Sequence, residues 1–181
     1  NYGADFNTDL KIKEKGSLNI TVGLSHQNKT NRAGSPGKDD LFGVDDAWTR
    51  ANPILGMNVG QPIMTSGSIF LNLELPTSEL GKFYTFGGTT IRKGTSYALY
   101  RTPYWIPTDY GLLTPSGEAY NGFQPEFLTE VYDHNFTSGW KGKLGQWKLD
   151  GSATYGASIV NYEVGNTINT SLGANSPTKF K

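Results

Sequence analysis

Apolar and polar residues alternate with a period of two along most of the chain, a pattern typical of β-strands with one apolar and one polar face. The two clearest segments cover residues 2–12 and 18–27, and a short turn at residues 14–16 joins them. In the second segment the apolar face holds Leu18, Ile20, Val22 and Leu24, and the polar face holds Asn19, Thr21, Ser25 and Gln27. These two segments predict a β-hairpin.

Four further segments show the same alternation, at residues 66–75, 82–93, 128–142 and 147–159. The pattern does not fix the two faces of the 82–93 segment, because aromatic residues occupy both parities there. Taken with the hairpin, these segments predict an all-β fold in which about six long strands form an antiparallel meander. The strands exceed the five or six residues that are usual in soluble sheets.

The connections between these segments alternate between short and long. Three are tight turns centred near Lys15, Glu79 and Leu144, whereas the stretches 30–65 and 94–127 are long and irregular. Short turns on one side and long loops on the other are characteristic of outer-membrane barrels. We therefore expect the strands to form part of a large transmembrane β-barrel, with the polar face towards the lumen. A soluble sheet with one wet face would give the same alternation and stays an alternative.

Composition narrows the function classes. The chain has 181 residues, no Cys, and 16 basic against 16 acidic side chains, so charge gives no reason to expect nucleic acid as a partner. The absence of Cys excludes disulfides, thiolate metal sites and cysteine nucleophiles. Since the chain begins at Asn1 with neither a start-like tail nor a signal peptide, we expect it to be part of a longer protein.

The sequence offers no catalytic constellation. His26 and His134 are far apart, and no nucleotide-binding, zinc-protease or serine-hydrolase motif occurs. We therefore predict that the chain is not an enzyme and holds neither a cofactor nor a metal. One acidic cluster, Asp39, Asp40, Asp45 and Asp46, has the oxygen ligands that Ca²⁺ prefers but not the spacing of an EF-hand, and a solvated acidic loop is the favoured interpretation.

The second long stretch is rich in aromatic residues and carries an embedded arginine. Exposed aromatic rings beside arginine can stack on sugars, on catechol-type ligands or on a partner protein. The alternative is that these rings pack the loop against itself. We predict a substrate-binding site formed by Tyr100, Arg101, Tyr104, Trp105 and Tyr110.

Four short sequence motifs occur in order along the chain: T-N-R-A-G at 30–34, F-Y-T-F-G-G at 83–88, Y-N-G-F-Q-P-E at 120–126, and N-T-I-N-T-S-L-G-A-N-S-P-T at 166–178. In this order the words resemble the β-barrel region of TonB-dependent outer-membrane receptors. Each word is short, but their order and spacing cover most of the chain outside residues 39–60. The resemblance implies that residues 1–181 are a partial barrel without the plug, the TonB box or the C-terminal strand.

The resemblance also implies a function. Such receptors are large barrels with a plugged lumen, and they import a scarce nutrient with energy passed on by TonB. The expected location is the outer membrane of a Gram-negative bacterium, and the cargo would be a siderophore, glycan, peptide or similar compound. Expected partners are outer-membrane lipid, TonB through the N-terminal region, and a surface lipoprotein. Two alternatives stay open: a soluble carbohydrate-binding β-domain, and a structural barrel subunit of a larger outer-membrane assembly.

Overall fold

A computed structural model describes residues 1–13, 15–32, 47–52, 58–78 and 80–181, without the side chains of Thr49, Arg50 and Ser78. Six strands account for most of the described chain. They are β1 (Tyr2–Ile12), β2 (Gly16–Gln27), β3 (Ile63–Ser78), β4 (Gly81–Tyr97), β5 (Glu126–Leu144) and β6 (Trp147–Gly165). A five-residue helix, α1 (Ala47–Ala51), and a 3-10 segment, Thr170–Asn175, complete the elements.

The strands form one open sheet in which each strand lies beside its neighbours in sequence, in the order β1 to β6. The sheet is antiparallel, so the predicted all-β meander of about six long strands is confirmed. In the first hairpin Phe6 pairs with Val22, Leu10 with Leu18, and Asn7 with Thr21. Apolar residues therefore pair with apolar residues, and polar with polar. The hairpin predicted from the alternation has the predicted apolar and polar faces.

Five strands are longer than the alternation predicts. The last strand continues to Gly165, six residues beyond the predicted end at Ile159, and β3 begins at Ile63 rather than at Ser66. Backbone groups form the ladder hydrogen bonds, so a paired strand can continue where its side chains no longer alternate. The helix α1 also lies in a stretch predicted to be irregular. The acidic cluster Asp39–Asp46 and the turn residues Glu14 and Glu79 lie outside the described residues.

The chain divides into two units. The first consists of Asn1–His26, Thr65–Lys93 and Glu130–Val160, and the second of Gln27–Met64, Gly94–Thr129 and Asn161–Lys181. The tight connection at residues 145–146 belongs to the first unit, and its Gly145 has a φ of 58°. Glycine adopts this conformation without the Cβ clash that other residues meet, which suits a two-residue hairpin.

Side-chain hydrogen bonds cross the polar face of the first unit from strand to strand. The Nδ2 of Asn7 donates to the side-chain oxygens of Asn19 and Thr21 on β2, at 3.1 and 2.7 Å. From β3 to β6 the network continues with further side-chain pairs. They are Lys82–Glu74, Lys141–Glu74, Arg92–Asp133, Ser158–Asp133, Thr137–Thr154 and Tyr84–Asp150.

These contacts also assign the faces of β4, which the sequence left open. The Tyr84 hydroxyl donates to Asp150, and the ring of Phe86 stacks on Tyr84 with centroids 6.2 Å apart. Both aromatic residues therefore lie on the polar face. On the opposite face, the hydroxyl of Thr85 lies 2.8 Å from that of Ser138.

The apolar face of the first unit is uncovered by any described residue. Twelve of its large side chains are between 38% and 73% exposed. They are Tyr2, Phe6, Leu10, Leu24, Ile69, Ile91, Phe136, Trp140, Trp147, Leu149, Tyr155 and Ile159. Among the described residues the buried hydrophobic side chains are Phe123 and Ile168, and both belong to the second unit. Neither described helix is long and apolar enough to cross a membrane.

Candidate binding groove

The segment Tyr120–Pro125 organises the second unit through hydrogen bonds to three parts of the chain. Arg101 and Phe123 form an antiparallel bridge, with N–H···O distances of 2.7 and 3.1 Å. The Gln124 side chain donates to the Ala98 carbonyl and accepts from Asn58. The backbone carbonyl of Gln124 accepts from Asn166 at 2.8 Å. The Y-N-G-F-Q-P-E motif at residues 120–126 therefore connects three separate parts of this unit by hydrogen bonds.

A turn after the bridge places Trp105 against Arg101. The buried Thr102 carbonyl accepts from the N–H groups of Trp105 and Ile106, at 3.0 and 2.9 Å, which begins a helical turn. Residues four apart face the same side of such a turn. The guanidinium carbon of Arg101 accordingly lies 4.1 Å from the centroid of the Trp105 ring, a cation–π contact.

Burial shifts the pKa values of two side chains beside this turn. Burial raises the pKa of Tyr120 to about 12, with a smaller contribution from the charge of Asp109, and its hydroxyl donates to the Ile106 carbonyl at 2.7 Å. Partial burial lowers the pKa of Arg101 below its ordinary 12.5. A guanidinium is nevertheless protonated at physiological pH, so Arg101 is a cation here.

The segment after β6 provides a second group of residues, which lie near Arg101 and Trp105. Ile168 is buried, and the Asn169 side chain caps the 3-10 segment by accepting from the Ser171 N–H at 3.0 Å. The buried Ser176 hydroxyl accepts from the Asn169 N–H at 2.7 Å and donates to the Pro177 carbonyl at 2.8 Å. A backbone bridge between Val164 and Phe180 closes this loop.

These two segments border a groove with a volume of about 570 Å³. Its lining is Arg101, Trp105, Ile106, Pro107, Thr108, Tyr110, Phe123, Thr167, Ile168, Asn169 and Thr170. The volume falls in the range of small-molecule sites, about 300–1,000 Å³. Arg101 is the one charged residue in this lining, which otherwise consists of aromatic, aliphatic, hydroxyl and amide groups.

The loop beyond Trp105 is held by a buried carboxylate. Asp109 accepts hydrogen bonds from the N–H groups of Gly111, Leu113 and Thr114, at 2.9, 3.0 and 2.6 Å. Burial on its own raises the pKa of Asp109, but the hydrogen bonds from Thr114, Gly111 and Leu113 outweigh burial and hold this pKa below its ordinary 3.8. Asp109 thereby fixes the backbone next to Tyr110.

Three of the five residues predicted to bind substrate line the groove: Arg101, Trp105 and Tyr110. Tyr100 lies elsewhere, with its ring stacked on Trp48 at 5.3 Å and its hydroxyl donating to the Asn121 carbonyl at 2.9 Å. The Tyr104 ring is 59% exposed and is not part of the lining. The role of these residues in binding stays a prediction.

Sequence reasoning did not assign the other wall, residues 167–170, to a site. Those residues lie more than 60 positions after Trp105, and nothing in the pattern brings the two segments together. One signal was present: Ile168 is a lone aliphatic residue in a run of Asn and Thr, as expected of a position that anchors a polar loop.

Among the described residues, no three His, Cys, Asp or Glu side chains cluster as a metal site would require. No family model, no curated protein and no solved structure matches the chain. What the groove can bind therefore follows from its own lining.

Proposed function

We propose that this chain is part of the transmembrane barrel of a TonB-dependent importer in the outer membrane of a Gram-negative bacterium. In this proposal the apolar face contacts lipid and the polar face lines a lumen. The groove beside Arg101 contributes to the capture of a scarce nutrient, and TonB supplies energy through a region outside this chain. A surface lipoprotein is a proposed further partner.

The uncovered apolar face is the observation that carries the proposal. Full burial of one such side chain contributes about 1.5–3 kcal/mol. Leaving twelve of them roughly half exposed to water would forgo on the order of 10 kcal/mol. Whole domains are stable by only about 5–15 kcal/mol, so this face needs a covering of comparable apolar area. Lipid is such a covering.

The polar face supports the same orientation. Its side chains are satisfied by one another across neighbouring strands, as in Asn7–Asn19 and Arg92–Asp133. A wet lumen accepts such a surface, whereas hydrocarbon would not solvate its remaining polar atoms. A sheet with one apolar and one hydrogen-bonded polar face matches the alternation of outer-membrane barrels.

Strand length and connections are further support. A transmembrane strand needs about 9–11 residues, and the strands here have between 11 and 19. Connections of two to three residues alternate with connections of 35 and 28 residues, as tight turns and long loops do in these barrels.

The decisive experiment compares arginine at two adjacent positions of β2 in the full-length protein. Val22 pairs with Phe6 on the apolar face, and Thr21 pairs with Asn7 on the polar face. If Val22 lies near the bilayer midplane, Val22→Arg should destabilise the barrel by about 2–4 kcal/mol. Thr21→Arg, the matched control, should cost far less. Urea unfolding of the protein in lipid vesicles measures both.

Equal tolerance of arginine at the two positions would remove the membrane orientation. A folded monomer in the absence of detergent would instead favour the soluble carbohydrate-binding β-domain. Normal membrane insertion without uptake of any nutrient by the wild type would point to the structural barrel subunit.

A further inference from the structure

The charge of Arg101 is unbalanced by the described part of the chain. No described carboxylate lies within ion-pairing distance of its guanidinium, and its side chain donates no hydrogen bond to a described residue. Arg92, which lies before the aromatic loop in the chain, is by contrast paired with Asp133. A partly buried guanidinium therefore faces a groove without an acidic group.

The surroundings of Arg101 leave its donors available. The guanidinium carbon lies 4.1 Å from the centroid of the Trp105 ring, and none of the guanidinium N–H groups donates to a described residue, so these donors stay available to a ligand. The hydroxyls of Thr167 and Thr170, in the same lining, form no hydrogen bond with a described residue. A cation and two hydroxyls thus provide donors for an anionic oxygen.

Most of the remaining lining residues are aromatic or aliphatic. Trp105 and Tyr110 are about half exposed, and Phe123 and Ile168 are buried. Aromatic surfaces of this kind stack on rings of a ligand. A neutral sugar would leave the Arg101 charge without a counter-ion, whereas a ligand that carries both an anionic group and a ring satisfies the cation and the aromatic residues together.

We propose that the groove selects small organic anions in which a carboxylate or a phosphate is attached to a flat ring. The anionic oxygens contact Arg101 together with Thr167 and Thr170, and the ring lies against Trp105 and Tyr110. This inference rests on the proposed function, since it specifies the chemical class of the imported cargo. Bidentate pairing of arginine with a carboxylate or a phosphate is among the strongest polar contacts in proteins.

The test uses three naphthalene probes with the purified full-length protein: 2-naphthoate, 2-naphthyl phosphate and the neutral 2-naphthamide. Isothermal titration calorimetry should show one of the two anions binding at least about tenfold more tightly than the amide. Whichever anion binds better distinguishes a carboxylate site from a phosphate site. Equal affinity for all three probes would overturn the proposal.

Two variants and a control assign the effect to Arg101. Arg101→Gln should abolish the preference for the anion and leave the amide affinity within about twofold, whereas Arg101→Lys should retain part of the preference. Lys179→Gln removes another cation of the second unit, one that pairs with Glu163, and should change nothing. Unchanged anion binding by Arg101→Gln would exclude this site.

Probe binding by the purified protein tests the groove assignment, and nutrient uptake in cells tests the proposed importer, so the two proposals can fail separately. Selective binding by the purified protein together with absent uptake in cells would leave the groove assignment standing and contradict the importer. Uptake of a nutrient that is unaffected by Arg101→Gln, with equal affinity for the three probes, would contradict the groove assignment alone.

Discussion

Gly122 adopts a backbone conformation on which the groove depends. Its φ is 84°, and a Cβ atom there would lie 2.3 Å from the Arg101 carbonyl oxygen, which is the acceptor of the bridge from Phe123. Gly122→Ala should therefore break this bridge and displace Arg101. The expected cost is about 1–2 kcal/mol from the backbone alone, with a further cost from the clash.

Gly117 provides a matched control for that substitution. Its φ is 88°, but a Cβ atom there would meet nothing within 4 Å. Gly117→Ala thus carries the backbone cost without the clash. Hydrogen exchange of the Arg101 and Phe123 amides should accelerate much more in the Gly122 variant. Similar exchange in the two variants would show that the close approach to Arg101 is unimportant.

Asp109 makes the same loop sensitive to acid. Because hydrogen bonds hold its pKa below 3.8 in the folded loop, its stabilising contribution is complete above that value and is lost as the pH falls through the lowered pKa. Asp109→Asn should remove this dependence and destabilise the loop by about 1–3 kcal/mol, since the amide offers one acceptor for three N–H groups.

Hydrogen exchange of the Gly111, Leu113 and Thr114 amides between pH 5 and pH 2, after correction for intrinsic rates, measures that effect. Protection should fall in the wild type below pH 3.8 and stay uniformly low in Asp109→Asn. Protection in the wild type that is the same at both ends of this range would contradict the assigned role of the carboxylate.

At the scale of single elements, strands were easier to predict than the groove. The bounds of β1 follow from its alternation, which runs without interruption from Tyr2 to Ile12. The end of β6 does not follow from its alternation. Strand pairing continues beyond Ile159, where the apolar residues Val160 and Tyr162 occupy positions that are polar earlier in the strand. Periodicity reports which side of a strand is covered, whereas strand ends are set by backbone pairing.

The site illustrates a different limit. The aromatic density of residues 100–110 identified one wall of the groove, since exposed rings beside arginine are locally visible in a sequence. The opposite wall depends on contacts between distant segments, such as the hydrogen bond from Asn166 to the Gln124 carbonyl. Tyr100 shows the converse, because it belongs to the aromatic segment but its ring packs on Trp48 and does not line the groove.

At the scale of the whole molecule, β1 and β6 are the edge strands of the sheet, and among the described residues the outer edge of β6 is paired through the bridge between Val164 and Phe180. The edge strand β6 has 19 residues, which corresponds to about 60 Å of extended chain. Natural proteins seldom leave a long edge unpaired, because it invites pairing with other chains. Under the proposed function, both edges pair with further strands of the same barrel, and the apolar face is then continuous with theirs.

The meander makes a prediction about sidedness. Successive connections of an antiparallel meander leave the sheet at opposite ends of the strand between them, so the two connections of β5 should lie on opposite sides of the membrane. Ser116 lies in the long connection before β5 and Gln146 in the tight turn after it, and both are exposed. In intact cells a membrane-impermeant thiol reagent should label Ser116→Cys and not Gln146→Cys. Permeabilised cells, the control for reactivity, should label both. Labelling of Gln146→Cys alone would invert the proposed topology, and labelling of both in intact cells would contradict a barrel that spans the membrane.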